Sequence, residues 1–485
     1  MLMKDLILEG KSSKKINAII TLIYFFINLL LVVNHEHWMD EAQAFVISKN
    51  LSLVEMFKIL CTEGHPSLWF LVIMPFAKLG ISYYYFSFIS LIVMTIAVFI
   101  FMKDAPFSLI IKIGILFSSV FLFYNPVVCR SYSLIALIII LISKEYKNKL
   151  DRPVLYGILI LLLSQTHVLV FGLVIGLIID LLIEFFNNKN RKSLISIIIA
   201  IFGLLCAIME IYPRTEFSSG IDTSTAGIID KLNIANIIDG MKYFAYISWG
   251  WTLDELFYIP YFILIILLIS LFIFISKNKA WKKNFNVIMI AVCSFAVFFG
   301  VTFLVYKPHT QMASIAMMIL LFIMWQLYKT NKNINIRVPV LLLLVITSAL
   351  TFIVAQSSFK FDLFGNYSTS EMTAKYIENN LKENSIILIE DSVYDSAVYA
   401  YVESNRKDIA FFDMQTNDSF IFHQMGIDYK IIDTNQIIEK SNELKGDIYY
   451  LTNSKKTCDK LILLYTSCNE NSVWSENYFL YKVER

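Results

Sequence analysis

Polar residues able to do chemistry crowd into one part of this chain. Asn34-His35-Glu36-His37-Trp38-Met39-Asp40-Glu41 follows directly on an apolar run, and Glu63-Gly64-His65-Pro66-Ser67-Leu68-Trp69 comes shortly after. Further along stand Arg130-Ser131-Tyr132-Ser133, His167 after Ser164-Gln165-Thr166, Tyr212-Pro213-Arg214 and Tyr306-Lys307-Pro308-His309. Carboxylates beside histidines and an arginine are the parts of proton transfer next to an anion. A carboxylate takes a proton as general base, and a guanidinium offers a fork of donors matched to phosphate oxygens. Each part also has a plainer reading. Asp40, three residues before Gln43, fits a helix N-cap, with Glu41 a first-turn acid favoured by the helix dipole. His35, Glu36 and His37 fit polar residues at a membrane interface, and His65-Pro66 fits a turn. The outlying basic residues fit interfacial anchors with snorkelling heads. His35, His37 and Asp40 lack a recognised ligand spacing, so no metal site is expected.

The elements that must hold these residues are apolar. Of 485 residues, 57% are hydrophobic and 16% charged, with mean hydropathy +0.63. A soluble domain is usually about 45–50% apolar and roughly 25% charged, so a soluble enzyme and a disordered scaffold are excluded. Net charge is +2, which offers no basic field for nucleic acid. The six cysteines form no CxxC pair. No small-residue cleavage site follows the first apolar run, which reads as an anchor. A spanning helix needs about 20 apolar residues. Eleven candidates fall at 16–33, 83–102, 108–124, 127–143, 153–164, 168–186, 193–211, 257–276, 285–305, 310–328 and 338–355. The stretch 67–79 is only thirteen residues long and carries Pro75 and Lys78.

Charge orients the spans. With the N-terminus in the cytoplasm, cytoplasmic segments hold 20 Lys/Arg in 58 residues, and the outer loops hold 8 in 111. Counting 67–79 as a span reverses every later loop, so it is expected in the outer interface. Loop 34–82 is then an outer loop. In it Ser52 and Glu55 form a capping box that starts an amphipathic interfacial helix. The same parity places the last 130 residues outside. There a helix at 371–383 precedes short apolar runs at Ile386–Ile389, Ile409–Phe412, Tyr429–Ile432, Ile448–Leu451 and Leu461–Tyr465, the pattern of a small α/β domain. A straight strand at Leu461–Tyr465 holds Cys458 and Cys468 too far apart to bridge. Two units result: an all-α polytopic membrane domain over 1–355 and an extracytoplasmic α/β domain over 356–485.

Trp38-Met39-Asp40-Glu41-Ala42-Gln43-Ala44-Phe45, Glu63-Gly64-His65-Pro66-Ser67-Leu68-Trp69 and Arg130-Ser131-Tyr132-Ser133-Leu134 resemble bacterial integral-membrane glycosyltransferases of the GT-C fold. The likeness is to the glycosyltransferase family 39 group of protein O-mannosyltransferases and aminoarabinose transferases. It covers roughly the first 210 residues in order and spacing, and beyond them it is topological. The resemblance implies a donor sugar on a polyprenyl phosphate and an acceptor glycan, lipid or protein on the outer face of a bacterial plasma membrane. It implies Asp40 as general base, with Glu41 orienting Asp40 or the acceptor, and inversion at the anomeric carbon. It places His65, Arg130, Tyr132, Lys307 and His309 at the donor phosphate; Glu63, His167 and Arg214, which fall on the same outer side, are expected among substrate-binding residues. Ser67 stands where many relatives carry a second proline, which implies a less rigid loop. No Asp-x-Asp motif occurs in the loop, so neither a metal nor another cofactor is expected.

Coupled transporters and flippases place ionisable residues at mid-depth, often on inverted repeats. Here Asp180 and Glu184 lie towards the cytoplasmic end of their span and Glu210 towards the outer end of the next, with no repeat. A non-catalytic glycan-assembly subunit would carry much the same sequence.

Overall fold

The computed structural model describes residues 13–212, 281–304, 313–332, 334–423, 430–468 and 476–485, with Ile273, Ser276 and Ser472. Arg214, Lys307, His309 and most of the span expected at 257–276 lie outside the described residues.

The chain starts with helix α1 (Lys14–Asn34), whose Ser13 hydroxyl accepts the Ile16 N–H at 3.2 Å. Three short helices follow: α2 (Met39–Asn50), α3 (Leu53–Glu63) and α4 (Leu68–Lys78). The expected box forms at α3, where Ser52 and Glu55 exchange backbone-to-side-chain bonds of 2.8 and 3.3 Å. Next come α5 (Phe88–Asp104), α6 (Leu109–Leu116), α7 (Tyr132–Glu145), α8 (Pro153–Ser164), α9 (Phe171–Asn188) and α10 (Arg191–Ile211). Helices α11 (Trp281–Leu304), α12 (Ala313–Thr330) and α13 (Ile334–Phe364) are the remaining described helices of the bundle.

Among the described residues five helical stretches are long and apolar enough to cross a membrane: Lys14–Asn34, Tyr83–Asp104, Val168–Asn187, Arg191–Ile211 and Trp281–Thr302. Leu68–Lys78, Pro153–Ser164, Ser314–Thr330 and Ile336–Ile346 are shorter apolar helices. The protein is therefore mostly helical and membrane-associated. Two expected spans are broken. Over 108–124 the helix stops at Leu116, and a wide turn closed by Asn125 N–H to the Val120 carbonyl (3.1 Å) follows. The Tyr24 hydroxyl donates to the Phe121 carbonyl within that turn. Over 127–143 the helix begins only at Tyr132, which leaves Cys129 and Arg130 on irregular backbone facing α2.

Glycines let the bundle close. A Cβ on Gly172 would lie 2.5 Å from the Cys293 carbonyl oxygen, and one on Gly176 would lie 2.9 Å from the Ile290 Cα. These two glycines, four apart on α9, bring α11 into backbone contact as small-residue pairs do in membrane helices. Asp180 is buried on α9, where it accepts from Lys149 Nζ at 2.5 Å and Asn286 Nδ2 at 2.7 Å. Its charge ties the α7–α8 connection to α9 and α11.

Helix α13 runs on to Phe364, past the apolar stretch, before the chain turns into a smaller sheet-bearing part. That part holds α14 (Ser370–Asn380), β1 (Ile386–Ile389), α15 (Ser392–Asn405), β2 (Ala410–Asp413), β3 (Asp418–Ser419), α16 (Thr434–Glu443), β4 (Ile448–Thr452), β5 (Leu461–Thr466) and β6 (Phe479–Val483). The sheet order is β3-β2-β1-β4-β6-β5, with β1 parallel to β2 and β4, and β6 antiparallel to β4 and β5. Strand β6 was not anticipated. The strand expected at Tyr429–Ile432 is absent from its described residues, 430–432. Side chains satisfy that backbone instead: Gln415 bonds both Lys430 N–H (3.0 Å) and Lys430 C=O (2.8 Å), and Glu390 accepts Ile432 N–H (3.2 Å). Cys458 and Cys468 are unbridged.

Helix α15 packs on α2. Lys49 pairs with Glu403, and Asn50 Nδ2 donates to the Ile421 carbonyl at 2.7 Å and the Tyr399 hydroxyl at 3.4 Å. The segment carrying the candidate chemistry is thus held between the bundle and the sheet-bearing part.

Candidate functional site

The start of α2 decides where the two acids point. Trp38 is the N-cap, and Glu41, three residues on, reaches back to its N–H at 3.3 Å. Glu41 therefore caps the helix, and the plainer reading of Asp40 as an N-cap does not hold. Its other oxygen accepts the Cys129 N–H at 2.6 Å. His35 lies between two buried carboxylates, with Nε2 3.2 Å from Glu41 Oε2 and Nδ1 3.2 Å from Asp362 Oδ1. Burial disfavours a charged imidazole, but Asp362 and Glu41 outweigh it and raise its pKa to about 10. Burial likewise opposes the charge on Glu41, and His35 overcomes it, so the carboxyl is held below its ordinary value.

His37 is buried and neutral. The Tyr401 hydroxyl accepts His37 N–H at 2.7 Å and lies 2.9 Å from His37 Nδ1, while Nε2 lies 2.8 Å from the Ser87 hydroxyl. In either neutral tautomer one ring nitrogen donates and the other accepts, so both are satisfied by these two hydroxyls. Burial lowers the His37 pKa to about 4. His35 and His37 are thus not interfacial polar residues. They are struts that fix the entry into α2, and their ring nitrogens are occupied. Among the described residues no group of three His, Cys, Asp or Glu side chains is placed to hold a metal ion.

Asp40 is released from capping and only partly covered. Its carboxylate is 3.7 Å from Arg130 Nη1, which also donates to the Asp40 carbonyl. Arg130 Nη2 lies 2.7 Å from His65 Nε2. Arginine only donates, so Nε2 is the acceptor and the His65 proton sits on Nδ1. Burial, His167 and Arg130 all hold the His65 pKa well below its ordinary value, which keeps the ring neutral. Nδ1 has no hydrogen-bond partner among the described residues.

His65, Arg130, Glu63, Ala44, Trp69, Phe70 and Ser131 line one small cleft. Burial raises the Glu63 pKa to about 7, against the bond from Gln43 (2.9 Å) and the nearby Arg130. Gln43 also exchanges two bonds with the backbone of His423, at 2.8 and 3.2 Å. Behind His65 stands His167, with ring centroids 4.6 Å apart, and Tyr132 is 6.4 Å from His167. His167 Nδ1 accepts the Leu169 N–H at 3.1 Å, so its proton is on Nε2, which is unpartnered among the described residues. Burial and Arg130 lower its pKa to about 3.

The loop carrying His65 is pinned, contrary to the looseness expected from Ser67. Ser67 N–H and O–H donate to the two oxygens of Glu210 at 2.9 and 3.1 Å. Gln165 accepts Leu68 N–H at 3.0 Å and itself donates to the Gly203 carbonyl at 2.8 Å. A carboxylate at the α4 N-terminus does the work a second proline would do.

Asp40, Glu63, His65 and Arg130 therefore converge, with Glu41 beneath them and His167 and Tyr132 behind. Sequence reasoning missed Asp362, which carries no motif and reaches His35 only because α13 overruns its apolar stretch. It also missed Gln43 and Ser67 as anchors, and saw Glu210 only as an acid at the end of a span. Comparison of the chain with protein-family models, with curated proteins and with solved structures finds no match.

Proposed function

We propose that the protein is an inverting glycosyltransferase that moves a sugar from a polyprenyl phosphate to an acceptor, with Asp40 as general base. The observation that carries this reading is the convergence of three separated segments on Arg130, whose guanidinium contacts Asp40 and His65 together. A base and a cluster of cationic and N–H donors then lie side by side, as transfer from a phosphate requires. The acceptor oxygen or nitrogen forms a bond to the anomeric carbon as the carbon–oxygen bond to phosphate breaks. The leaving electron pair stays on the phosphate oxygen, and the acceptor proton passes to Asp40.

Arg130 faces the charge that grows on the leaving phosphate, where preorganised donors in a poorly hydrated site stabilise it strongly. The Nδ1–H of neutral His65 supplies a further donor. Glu41 acts by positioning Asp40. In this reading the N-terminus is cytoplasmic, and the cleft and the sheet-bearing part lie on the outer face of a bacterial plasma membrane. Lys307, His309 and Arg214 are proposed as further donor or substrate contacts on sequence grounds alone.

The test uses purified protein in detergent with radiolabelled polyprenyl-phosphate sugars, following release of polyprenyl phosphate. Asp40→Asn should abolish release while donor binding survives, and Arg130→Lys should lower the rate by about 10²–10³-fold, the usual cost of one lost transition-state donor. Release at the wild-type rate by Asp40→Asn refutes the assignment of the base. If no donor binds, the transferase reading gives way to a flippase or an assembly subunit.

A further inference from the structure

Glu476 opens the last described segment, 476–485, yet it is only 2% exposed, and its carboxyl meets the segment that links α13 to α14. Its Oε2 contacts the Ser368 hydroxyl, and its backbone carbonyl accepts the Thr369 O–H at 2.7 Å. Its Oε1 is buried without a partner among the described residues. Counting hydrogens around Ser368 settles which group donates. Ser370 Oγ is 2.8 Å from the His37 carbonyl, which only accepts, so the Ser370 hydrogen is spent there. Ser368 Oγ is 2.8 Å from Ser370 Oγ and must supply the hydrogen of that contact. Its lone pairs face Ser370 N–H at 3.1 Å and Glu476. With its one hydrogen used, Ser368 cannot also donate to Glu476. The hydrogen of the Ser368–Glu476 contact therefore belongs to the carboxyl. A chain results that runs from Glu476 O–H through Ser368 and Ser370 to the His37 carbonyl, at the entry into α2.

We propose that Glu476 is held as a neutral carboxylic acid and completes the site from the sheet-bearing part, offering Oε1 to a hydroxyl or amine hydrogen of the substrate beside Asp40. The substrate contact rests on the glycosyltransferase reading, while the protonation does not. An unpaired buried acceptor is uncommon in a folded protein and calls for an occupant. Nearness to Asp40 follows from the hydrogen-bond chain, which ends on the His37 carbonyl three residues before Asp40; burial is the chief cause that raises the Glu476 carboxyl to about 8, in keeping with that placement. Tyr83, Tyr394 and Tyr478 are the other titratable groups that feel its charge. A second negative charge beside Asp40 and Glu41 would be repelled, so a neutral Glu476 is the arrangement the site tolerates. The residue is a specificity and positioning group for the acceptor or the sugar.

Two measurements test this. In the infrared difference spectrum between wild type and Glu476→Gln at pH 7, the carbonyl stretch of a protonated carboxylic acid should be present in wild type and lost in the variant. Its absence overturns the neutral acid whatever the protein's activity. In the polyprenyl-phosphate release assay, Glu476→Gln keeps both a donor and an acceptor and should stay within about threefold of wild type. Glu476→Ala leaves the substrate hydrogen unpaired and should raise KM by about 10–100-fold with less change in kcat. A Gln variant as impaired as the Ala variant, with the wild-type unfolding temperature, overturns the substrate contact and assigns an ionised role. Absence of turnover by wild type with every donor overturns the transferase reading and the substrate contact together, and the infrared band still decides the protonation.

Discussion

Replacing Glu41 by Gln removes one charge and swaps one oxygen for an NH2 group. Glu41 is fully buried, and its two oxygens face three donors: His35 Nε2–H, Trp38 N–H and Cys129 N–H. A glutamine has one acceptor oxygen. Whichever way it turns, its NH2 confronts either Cys129 N–H or the pair from His35 and Trp38. One buried donor left unpaired costs about 1–3 kcal/mol. Breaking a buried ion pair by changing one partner costs about 3–5 kcal/mol, and the two losses overlap because they share His35. The expected loss is therefore about 3–5 kcal/mol, a large part of the roughly 5–15 kcal/mol that stabilises a typical fold. Asp40→Asn should behave differently. Its side chain is 30% exposed and its carboxylate meets Arg130 only at 3.7 Å, so a change of about 1 kcal/mol or less is expected. Unfolding of the detergent-solubilised variants, read by loss of monodisperse protein with temperature or denaturant, distinguishes the two. A stable Glu41→Gln protein beside an unstable Asp40→Asn protein would refute the division of labour between the two acids.

Glu210→Ala should leave Ser67 N–H unpaired at the start of α4, cost about 1–3 kcal/mol and speed limited proteolysis between Gly64 and Ser67. Tyr401→Phe removes the hydroxyl that serves both the His37 backbone and ring, and should lower the unfolding temperature while sparing the far-ultraviolet helix signal. Glu63 carries its own pH signature. Its folded pKa is raised to about 7, so the folded state keeps a proton that the unfolded chain releases near 4.5. Stability from this group is present below about pH 4.5 and lost as the pH rises to about 7. Glu63→Gln should therefore gain on wild type over that window and hold a constant advantage above it, as unfolding measured from pH 5 to 8 would show.

The sequence was legible where a residue's own neighbours decide its state. Apolar runs mark the helices of the bundle, Ser52 and Glu55 announce the start of α3, and short apolar runs locate β1, β2, β4 and β5, because hydrophobic periodicity and capping act within a few residues. Asp40, Glu63, His65 and Arg130 were likewise visible as chemical types. Their roles relative to one another were not. That Glu41 and not Asp40 caps α2 depends on His35, Cys129 and Asp362, which are brought in by the end of α1, the break before α7 and the overrun of α13. That His65 is neutral with its proton on Nδ1 follows only once Arg130 points at Nε2. The backbone at 430–432 reads as a strand until Gln415 and Glu390 are seen to satisfy it. In each case the deciding partner is distant in sequence, and burial turns its single hydrogen bond or charge into the term that sets the outcome.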